Sequence, residues 1–344
     1  MPAVHVVLPG DIDDPATPSG GNAYDRQVCA GLTAAGWTVR EHGVPGDWPH
    51  PDEAARARLA GLLAALPDGV PVLYDGLVAS TVPELLAAQA GRLRQVVLVH
   101  MPLGDDAEAR ALPHADALVT TSGWTRDLLL GRHPLDPARV TVAVPGVDPA
   151  DLAPGTTAGT ALLCVAAVTP VKGHDVLVDA LTGLADRQWT LDCVGALDRD
   201  PAFVAALRQR VDRDGSGGRV RWHGPLTGPA LDAAYAGADL LVLPSRAETY
   251  GMVVVEALAR GLPVLGTTAG GVPEALGRAA DGSTPGMLVP PGDPVALAGG
   301  LRRWLHSADL RDRLRRAARD RRADLPGWPA TTTVISQVLD GVRT

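Results

Sequence analysis

Lysine is all but missing from this chain: of 31 basic Lys and Arg residues, Lys172 is the one lysine. Aromatic residues make up only 3% of the sequence, which leaves no material for a base-stacking platform. The three cysteines, Cys29, Cys164 and Cys193, lie far apart in apolar patterns with neither Cys-x-x-Cys nor zinc-site spacing. A disulfide framework is therefore excluded, and buried reduced thiols in a cytoplasmic protein are expected. No apolar run approaches the roughly 20 residues that span a bilayer, so stable membrane insertion is not expected. The first residues, Met1 to Pro9, carry no basic group ahead of a short apolar run and read as a strand rather than a signal peptide. A net charge of −8 argues against nucleic acid or an anionic membrane as the main partner. No solenoid-length repeat occurs, and nothing in the pattern sets an oligomeric state.

What is present is Ala, Leu and Val, in a sequence that is 46% hydrophobic, enough for two cores in 344 residues. Val-rich strands alternate with helices throughout. Strands are expected at Val4–Leu8, Thr38–Glu41, Val70–Tyr74, Val96–His100 and Ala117–Thr121, with helices at Tyr24–Ala35 and Ala54–Leu66. A Pro/Gly/Asp/Thr-rich linker follows over 145–160, and the rhythm restarts. Its second set comprises strands at Leu162–Ala167, Thr190–Val194, Val220–His223, Leu240–Pro244 and Pro263–Gly266, with a helix at Asp175–Leu184. The βαβ rhythm predicts an α/β protein of two Rossmann-like parallel sheets. The first domain should cover 1–150, completed by 327–344, and the second 151–326. A helix over Leu301–Ala323 should break at Leu325-Pro326-Gly327, after which the tail crosses back to the first domain.

Ligands of parallel α/β sheets sit beyond the carboxyl ends of the strands, so a cleft between the two sheets is the expected site. The richest stretch runs from Leu243 to Glu274. A strand ends at Pro244, a loop carries Glu248, and a helix starts near Gly251 and stops at Gly261. The open amides of Tyr250, Gly251 and Met252 would favour a diphosphate, with Thr249 beside them as a further candidate for nucleotide binding. Glu256, roughly 7 Å into that helix, could accept the hydroxyls of a ribose. It interrupts a run that is apolar on all sides, where an unpaired carboxylate is costly. Glu248 would lie near the group beyond the phosphates. Lys172, in Val168-Thr169-Pro170-Val171-Lys172-Gly173-His174, is a compact charge suited to phosphate oxygens. The plainer readings are a solvated Lys172, a helix-flanking Glu248 and a solvated Glu256.

These residues and their order resemble family 4 of the retaining glycosyltransferases, the "glycosyl transferases group 1" of the GT-B fold. Glu248 and Glu256 are similar to the family's E-x7-E pair, Val168–Gly173 to its phosphate-binding segment, and Gly270-Gly271-Val272-Pro273-Glu274 to its Gly-Gly-x-x-Glu turn. Pro145-Gly146-Val147-Asp148 resembles its interdomain motif, Gly20-Gly21-Asn22-Ala23-Tyr24 its N-terminal Gly-Gly loop, and the Trp328 segment its crossing helix. The resemblance spans nearly the whole chain and is looser in the first domain. Where the family usually has an arginine five residues before the lysine, this chain has Ala167.

The resemblance implies transfer of a hexosyl group from a UDP- or GDP-sugar to a hydroxyl-bearing acceptor, with retention and without metal or other cofactor. Lys172 would meet the leaving diphosphate, Glu248 would orient the sugar, Glu256 would hold the ribose, and Gly270 and Gly271 would help fix the sugar or diphosphate. His100, at a strand end, would touch the donor sugar, the other reading being a satisfied structural histidine. Gly20 and Gly21 would let the backbone approach the diphosphate and acceptor closely, and Asp75 and Asn22 would meet the acceptor, the plainer reading of Asp75 being a turn-forming residue. Ser122 reads as the N-cap of a helix beginning at Trp124.

Other classes remain open at this level. A non-catalytic sugar-nucleotide binding protein fits the weakened phosphate segment at Ala167. A nicotinamide-dependent oxidoreductase would use Glu41, but neither first turn has G-x-G-x-x-G. A metal-dependent transferase could use Asp11-Ile12-Asp13, placed too early in the chain for that fold. A pyridoxal phosphorylase lacks a spare lysine, and the Arg311–Arg322 helix reads as a solvated face.

Overall fold

The computed structural model describes residues 1–14 and 19–343. Strands and helices follow in the order β1 (Ala3–Pro9), α1 (Gly20–Ala34), β2 (Thr38–Val44), α2 (Glu53–Ala65), β3 (Pro71–Asp75), α3 (Gly76–Ala79), α4 (Pro83–Gln89), β4 (Arg94–Val99), α5 (Asp106–Ala111), β5 (Ala117–Thr120), α6 (Gly123–Arg132) and β6 (Val140–Val142). After an irregular stretch come β7 (Ala161–Val165), α7 (His174–Thr182), β8 (Thr190–Val194), α8 (Pro201–Arg213), β9 (Val220–Gly224), α9 (Gly228–Ala236), β10 (Leu240–Leu243), α10 (Met252–Ala259), β11 (Val264–Thr267), α11 (Val272–Leu276) and β12 (Gly286–Val289). Three helices close the chain, α12 (Pro294–His306), α13 (Ala308–Arg321) and α14 (Trp328–Arg343).

The chain divides into two compact units, one of Met1–Asp14, Ser19–Gly146 and the segment from Pro326, the other of Val147–Leu325. Each is built on a six-stranded parallel sheet, in the orders β2-β1-β3-β4-β5-β6 and β12-β11-β10-β7-β8-β9. Strands such as Arg94-Gln95-Val96-Val97-Leu98-Val99 are buried along nearly their whole length, because helices cover both sheet faces. In both sheets the strand order reverses beside the first strand, between β1 and β3 and between β7 and β10. Loops leaving adjacent strands there diverge to opposite faces and leave a crevice at the carboxyl ends.

The first core gathers Leu59, Leu63, Tyr74, Leu86, Val97 and Leu129; the second gathers Leu162, Leu177, Leu191, Leu240, Leu301 and Trp304. Buried Asp239 anchors the start of the second sheet. It accepts from the Thr156 amide (2.7 Å), the Ala161 amide (2.9 Å) and the Arg315 guanidinium (2.8 Å).

Helix α14 packs on α1 in the first unit. A Cβ at Gly31 would lie 2.1 Å from Thr332 Oγ1, so the missing side chain lets the two helices approach. Trp37 Nε1 donates to Ser336 Oγ at 2.9 Å, and the Trp328 ring meets Tyr24 edge-on with centroids 5.6 Å apart.

The structure moves some boundaries. Helix α1 begins four residues earlier than the sequence predicts, because Ser19 caps it by accepting the Asn22 amide at 3.0 Å. Gly20, Gly21 and Asn22 are thus the first helical turn and not an open loop. The single helix expected over Leu301–Ala323 is two: Ser307 ends α12 and caps α13 through the Leu310 amide (3.1 Å). Ser122 is the N-cap of α6 as read, with the helix starting at Gly123. The three cysteines are free and buried. Among the described residues no helix is long and apolar enough to cross a membrane.

Candidate functional site

In the second unit, three neighbouring strands, β7, β10 and β11, send their carboxyl-end loops into helices α7, α10 and α11. Among the described residues, eight other helices begin with a Ser or Asp whose side chain accepts an amide of the first turn: Ser19, Asp52, Asp75, Asp105, Ser122, Asp200, Asp293 and Ser307. Helices α7, α10 and α11 begin instead at Gly173, Gly251 and Gly271, and no side chain caps them. A helix start without a side-chain cap is where the helix dipole favours an anion, although in α11 the Val272 amide is already given to the Ala269 carbonyl at 3.1 Å.

The β7 and β10 loops are bound tightly together. Arg246 forks onto Asp175 with contacts of 2.8 and 2.6 Å, and its amide donates to the Val171 carbonyl at 2.8 Å. Gly173 has φ +72°, and a Cβ there would lie 2.1 Å from the Pro244 carbonyl oxygen. Only glycine meets both demands, a left-handed backbone and a neighbour this close. Thr267 Oγ1, from β11, donates to the Ser245 carbonyl at 2.7 Å and fixes the other side of the β10 loop.

That framework places Lys172 against Glu248, Nζ donating to Oε2 at 2.7 Å, with side-chain exposures of 28% and 13%. The Glu248 Cγ lies 3.4 Å from where a Gly251 Cβ would be, so the pair stands directly before the start of α10. Lys172 keeps two further N–H donors, and Glu248 keeps its second oxygen. Tyr250 is buried, and that burial, with Glu274 nearby, pushes its phenol up to about 12. Met252 is half-buried at the first turn.

Glu256, one turn into α10, has a partner that sequence reasoning missed. The Tyr235 hydroxyl of α9 donates to its Oε2 at 2.8 Å. The unpaired carboxylate expected from the apolar run is therefore half satisfied within the protein, leaving one oxygen rather than two. Burial raises its pKa above the usual carboxylate value, against the opposing Tyr235 hydrogen bond and the Arg260 charge. The Gly-Gly turn also needs correction. The Gly271 amide donates to the Glu248 carbonyl at 3.1 Å, and a Cβ at Gly271 would lie 2.3 Å from the Thr249 carbonyl oxygen. Gly271 shapes the loop that carries Glu248 and Thr249, and its N–H is committed. Gly270, at φ +54°, turns the chain into α11.

In the first unit, His100 follows β4 and Asp75 ends β3. His100 Nε2 lies 2.7 Å from Asp25 Oδ1 and 3.8 Å from Asp75 Oδ2. Asp25, on α1, did not stand out in the sequence. A Cβ at Gly21 would touch the His100 ring at 3.4 Å, so the first turn of α1 lies on the imidazole. Asp75 caps α3 by accepting the Leu77 amide at 2.6 Å and is buried, which is the turn-forming reading rather than a side chain open to an acceptor. Burial first, then the charge of Asp25, pushes it up to about 7. For His100, burial acts downward and Asp25, with Asp75 behind it, outweighs that, so the imidazole holds its proton above the ordinary range.

Residues belonging to the competing readings are engaged elsewhere. Asp13 takes both ends of the Arg26 guanidinium, at 2.7 and 2.6 Å, and Glu41 pairs with the same arginine.

Residues 157–321 match the family model described as glycosyl transferases group 1. Among curated proteins, the chain is 32% identical over 256 residues to a D-inositol 3-phosphate glycosyltransferase of Jonesia denitrificans, covering 69% of this chain and 59% of that one. It is 41% identical over 112 residues to the sulfoquinovosyl transferase SQD2 of Arabidopsis thaliana, covering 33% and 22%. The chain spans less than two thirds of the length of the curated relatives it matches. Among solved structures it is similar to a sucrose-phosphate synthase from Thermosynechococcus elongatus, with TM-score 0.78 and 21% identity over 99% of both chains. It is also similar to Anabaena HepE in complex with UDP and glucose, with TM-score 0.76 and 16% identity over 99% of this chain and 100% of that one. The match to the glycosyl transferases group 1 thus lies within the second unit, over residues 157–321, and the two parallel six-stranded sheets are those of the GT-B glycosyltransferase fold.

Proposed function

We propose that this protein is a glycosyltransferase that moves a hexosyl group from a UDP- or GDP-sugar to a hydroxyl of a small-molecule or glycan acceptor, with retention and without metal. The observation that carries the reading is the Lys172–Glu248 pair standing before the uncapped start of α10, at the point where the second sheet reverses its strand order. An anion and a polyhydroxylated group joined to it are what such a pair can hold together. The curated relatives are named for glycosyl transfer, and the HepE structure contains UDP and glucose, which supports a nucleotide-sugar donor.

In this reading the diphosphate lies on the first amides of α10, at Tyr250, Gly251 and Met252, with Lys172 donating its two remaining N–H groups. As the sugar–oxygen bond breaks, negative charge grows on the departing diphosphate, and fixed amides and a fixed cation stabilise it without reorganising. The bond with Glu248 keeps the flexible lysine in place, and the other Glu248 oxygen accepts a sugar hydroxyl. Glu256 offers its free oxygen to the ribose while Tyr235 holds the other. The acceptor proton passes to a phosphate oxygen on the face from which the diphosphate leaves, so no protein base is required. In the first unit, His100 is the proposed sugar contact.

The test is a thermal-shift screen against UDP, GDP, ADP and dTDP sugars. A ligand at a hundred times its Kd adds about 2.7 kcal/mol to the unit that binds it. One nucleotide series should stabilise the protein, and transfer to an acceptor should survive EDTA and keep the anomeric configuration by NMR. No stabilisation by any member of the series would overturn the reading. Selective binding with no transfer to any acceptor would favour a sugar-nucleotide binding protein.

A further inference from the structure

Two buried carboxylates and an imidazole meet in the first unit with nothing else of charge to balance them. One atom each of Asp25, Asp75 and His100 lies within 4.8 Å of the others. Asp25 and Asp75 are each 2% exposed. Of the four carboxylate oxygens, Asp25 Oδ1 faces His100 Nε2 at 2.7 Å and Asp75 Oδ1 accepts the Leu77 amide at 2.6 Å. Asp25 Oδ2 is buried without a hydrogen-bond partner among the described residues. The phenol of Tyr24 lies edge-on to the imidazole at 5.1 Å, but its hydroxyl is given to the Ala143 carbonyl at 2.8 Å and is not free to serve the cluster.

Charge counting then leaves few arrangements. Two bare carboxylates beside one another in a dry site repel, and one imidazolium balances only one of them. A second positive equivalent is needed, and a buried acceptor oxygen with no donor is where it belongs.

We propose that Asp25 is the positioning residue for His100: its Oδ1 holds the Nε2 proton and fixes the ring, Nδ1 is the nitrogen left for a ligand oxygen, and Asp75 carries a proton shared with Asp25 Oδ2. The cluster is then neutral as a whole, made of one imidazolium, one carboxylate and one carboxylic acid. Nδ1 makes no hydrogen bond among the described residues and is not one of the buried unpartnered atoms, so it is open to a ligand. Asp25 acts through His100 and needs no contact with substrate. Among the described residues, the charged groups that act on the ring are Asp25 from α1 and Asp75 from the end of β3, and no lysine or arginine does so. The assignment of a ligand to Nδ1 rests on the function proposed above, whereas the orientation and the shared proton do not.

The test begins with the unaltered protein. Carbon-13 NMR of the aspartate carboxyls should show one carboxyl titrating near neutrality, and the imidazole resonances, assigned by their loss in His100→Gln, should keep a proton on Nε2 throughout. In Asp25→Asn the His100 midpoint should fall by a pH unit or more, and the ring should lose its fixed tautomer. Aspartates that all titrate in the ordinary acidic range, an unmoved His100 midpoint, or a stoichiometric divalent metal bound in the cluster would each overturn the proposal. In a transfer assay, Asp25→Asn should cost about tenfold and shift the pH profile when His100 is present, and cost nothing further in His100→Gln. A moved His100 midpoint with unchanged transfer supports the positioning role and removes His100 from the proposed function. A tenfold loss that persists in His100→Gln overturns the proposal, since Asp25 would then act by another route.

Discussion

Replacing Gly173 by alanine tests whether the contact between the β7 and β10 loops builds the site. The added Cβ meets two penalties. The first is the left-handed backbone at φ +72°, worth about 1–2 kcal/mol for any L-residue. The second is steric. The Cβ would lie 2.1 Å from the Pro244 carbonyl oxygen, about 1.3 Å inside the 3.4 Å of ordinary contact, and the obstacle is backbone that cannot swing away. Overpacking of this sort costs a further 1–3 kcal/mol or so, for a total of about 3 kcal/mol. Gly215 supplies the control. It has φ +71° but nothing within 4 Å of its missing Cβ, so Gly215→Ala pays only the backbone term. For a unit of this size about 1 kcal/mol lowers the melting temperature by roughly 2–4 °C. Gly173→Ala should therefore melt about 6–12 °C below the parent by calorimetry, and Gly215→Ala about 2–8 °C below. Nucleotide-induced stabilisation should be lost in the first variant and kept in the second, because moving the β10 loop separates Glu248 from Lys172. Equal melting shifts with nucleotide binding intact in both would refute the argument that this approach shapes the site.

Further outcomes can be checked alongside. Lys172→Ala and Glu256→Ala should each weaken nucleoside-diphosphate binding by about tenfold or more in calorimetry while leaving the fold intact by circular dichroism. Asp75 has a folded-state pKa near 7 against an ordinary 3.8, so the native state binds more protons than the unfolded one between these values. Stability should consequently fall as pH rises from about 4 to 7, by up to about 4 kcal/mol, and level off above; Asp75→Asn should remove most of that slope in denaturant titrations. Arg315→Met should destabilise the second unit by about 3 kcal/mol in guanidinium unfolding, because the fully buried Asp239 loses its cation. Replacing both Arg315 and Asp239 by apolar residues should cost less than the sum of the two single changes.

Much of the architecture was legible because the signals are local. Val-rich strands spaced by amphipathic helices name a parallel sheet, and the apolar run around Glu256 marks α10 as a helix packed on several sides. Boundaries failed where a polar residue serves as a cap. Ser19 starts a helix through two glycines that read as loop, and Ser307 divides a pattern whose leucines continue in phase. Strand β6 is only three residues long, and β12 starts on a glycine and is half-buried beyond it, so neither makes the buried apolar run that marked strands such as β10. The site was legible on the loops that carry Lys172 and Glu248, where chain order and spacing suffice. It was not legible where chemistry depends on distant partners. Asp25 is 75 residues from His100, and Tyr235 lies in an alanine-rich helix 21 residues from Glu256; neither has a local pattern to betray it.

The seating of α14 on α1 bears on how the molecule is made. During synthesis, all the residues of the second sheet and its helices are translated before Trp328–Arg343. The N-terminal unit, although its strands come first, must wait for the final segment before Gly31 can meet Thr332 and Trp37 can find Ser336. The unit begun first is therefore completed by residues translated after the whole of the second one.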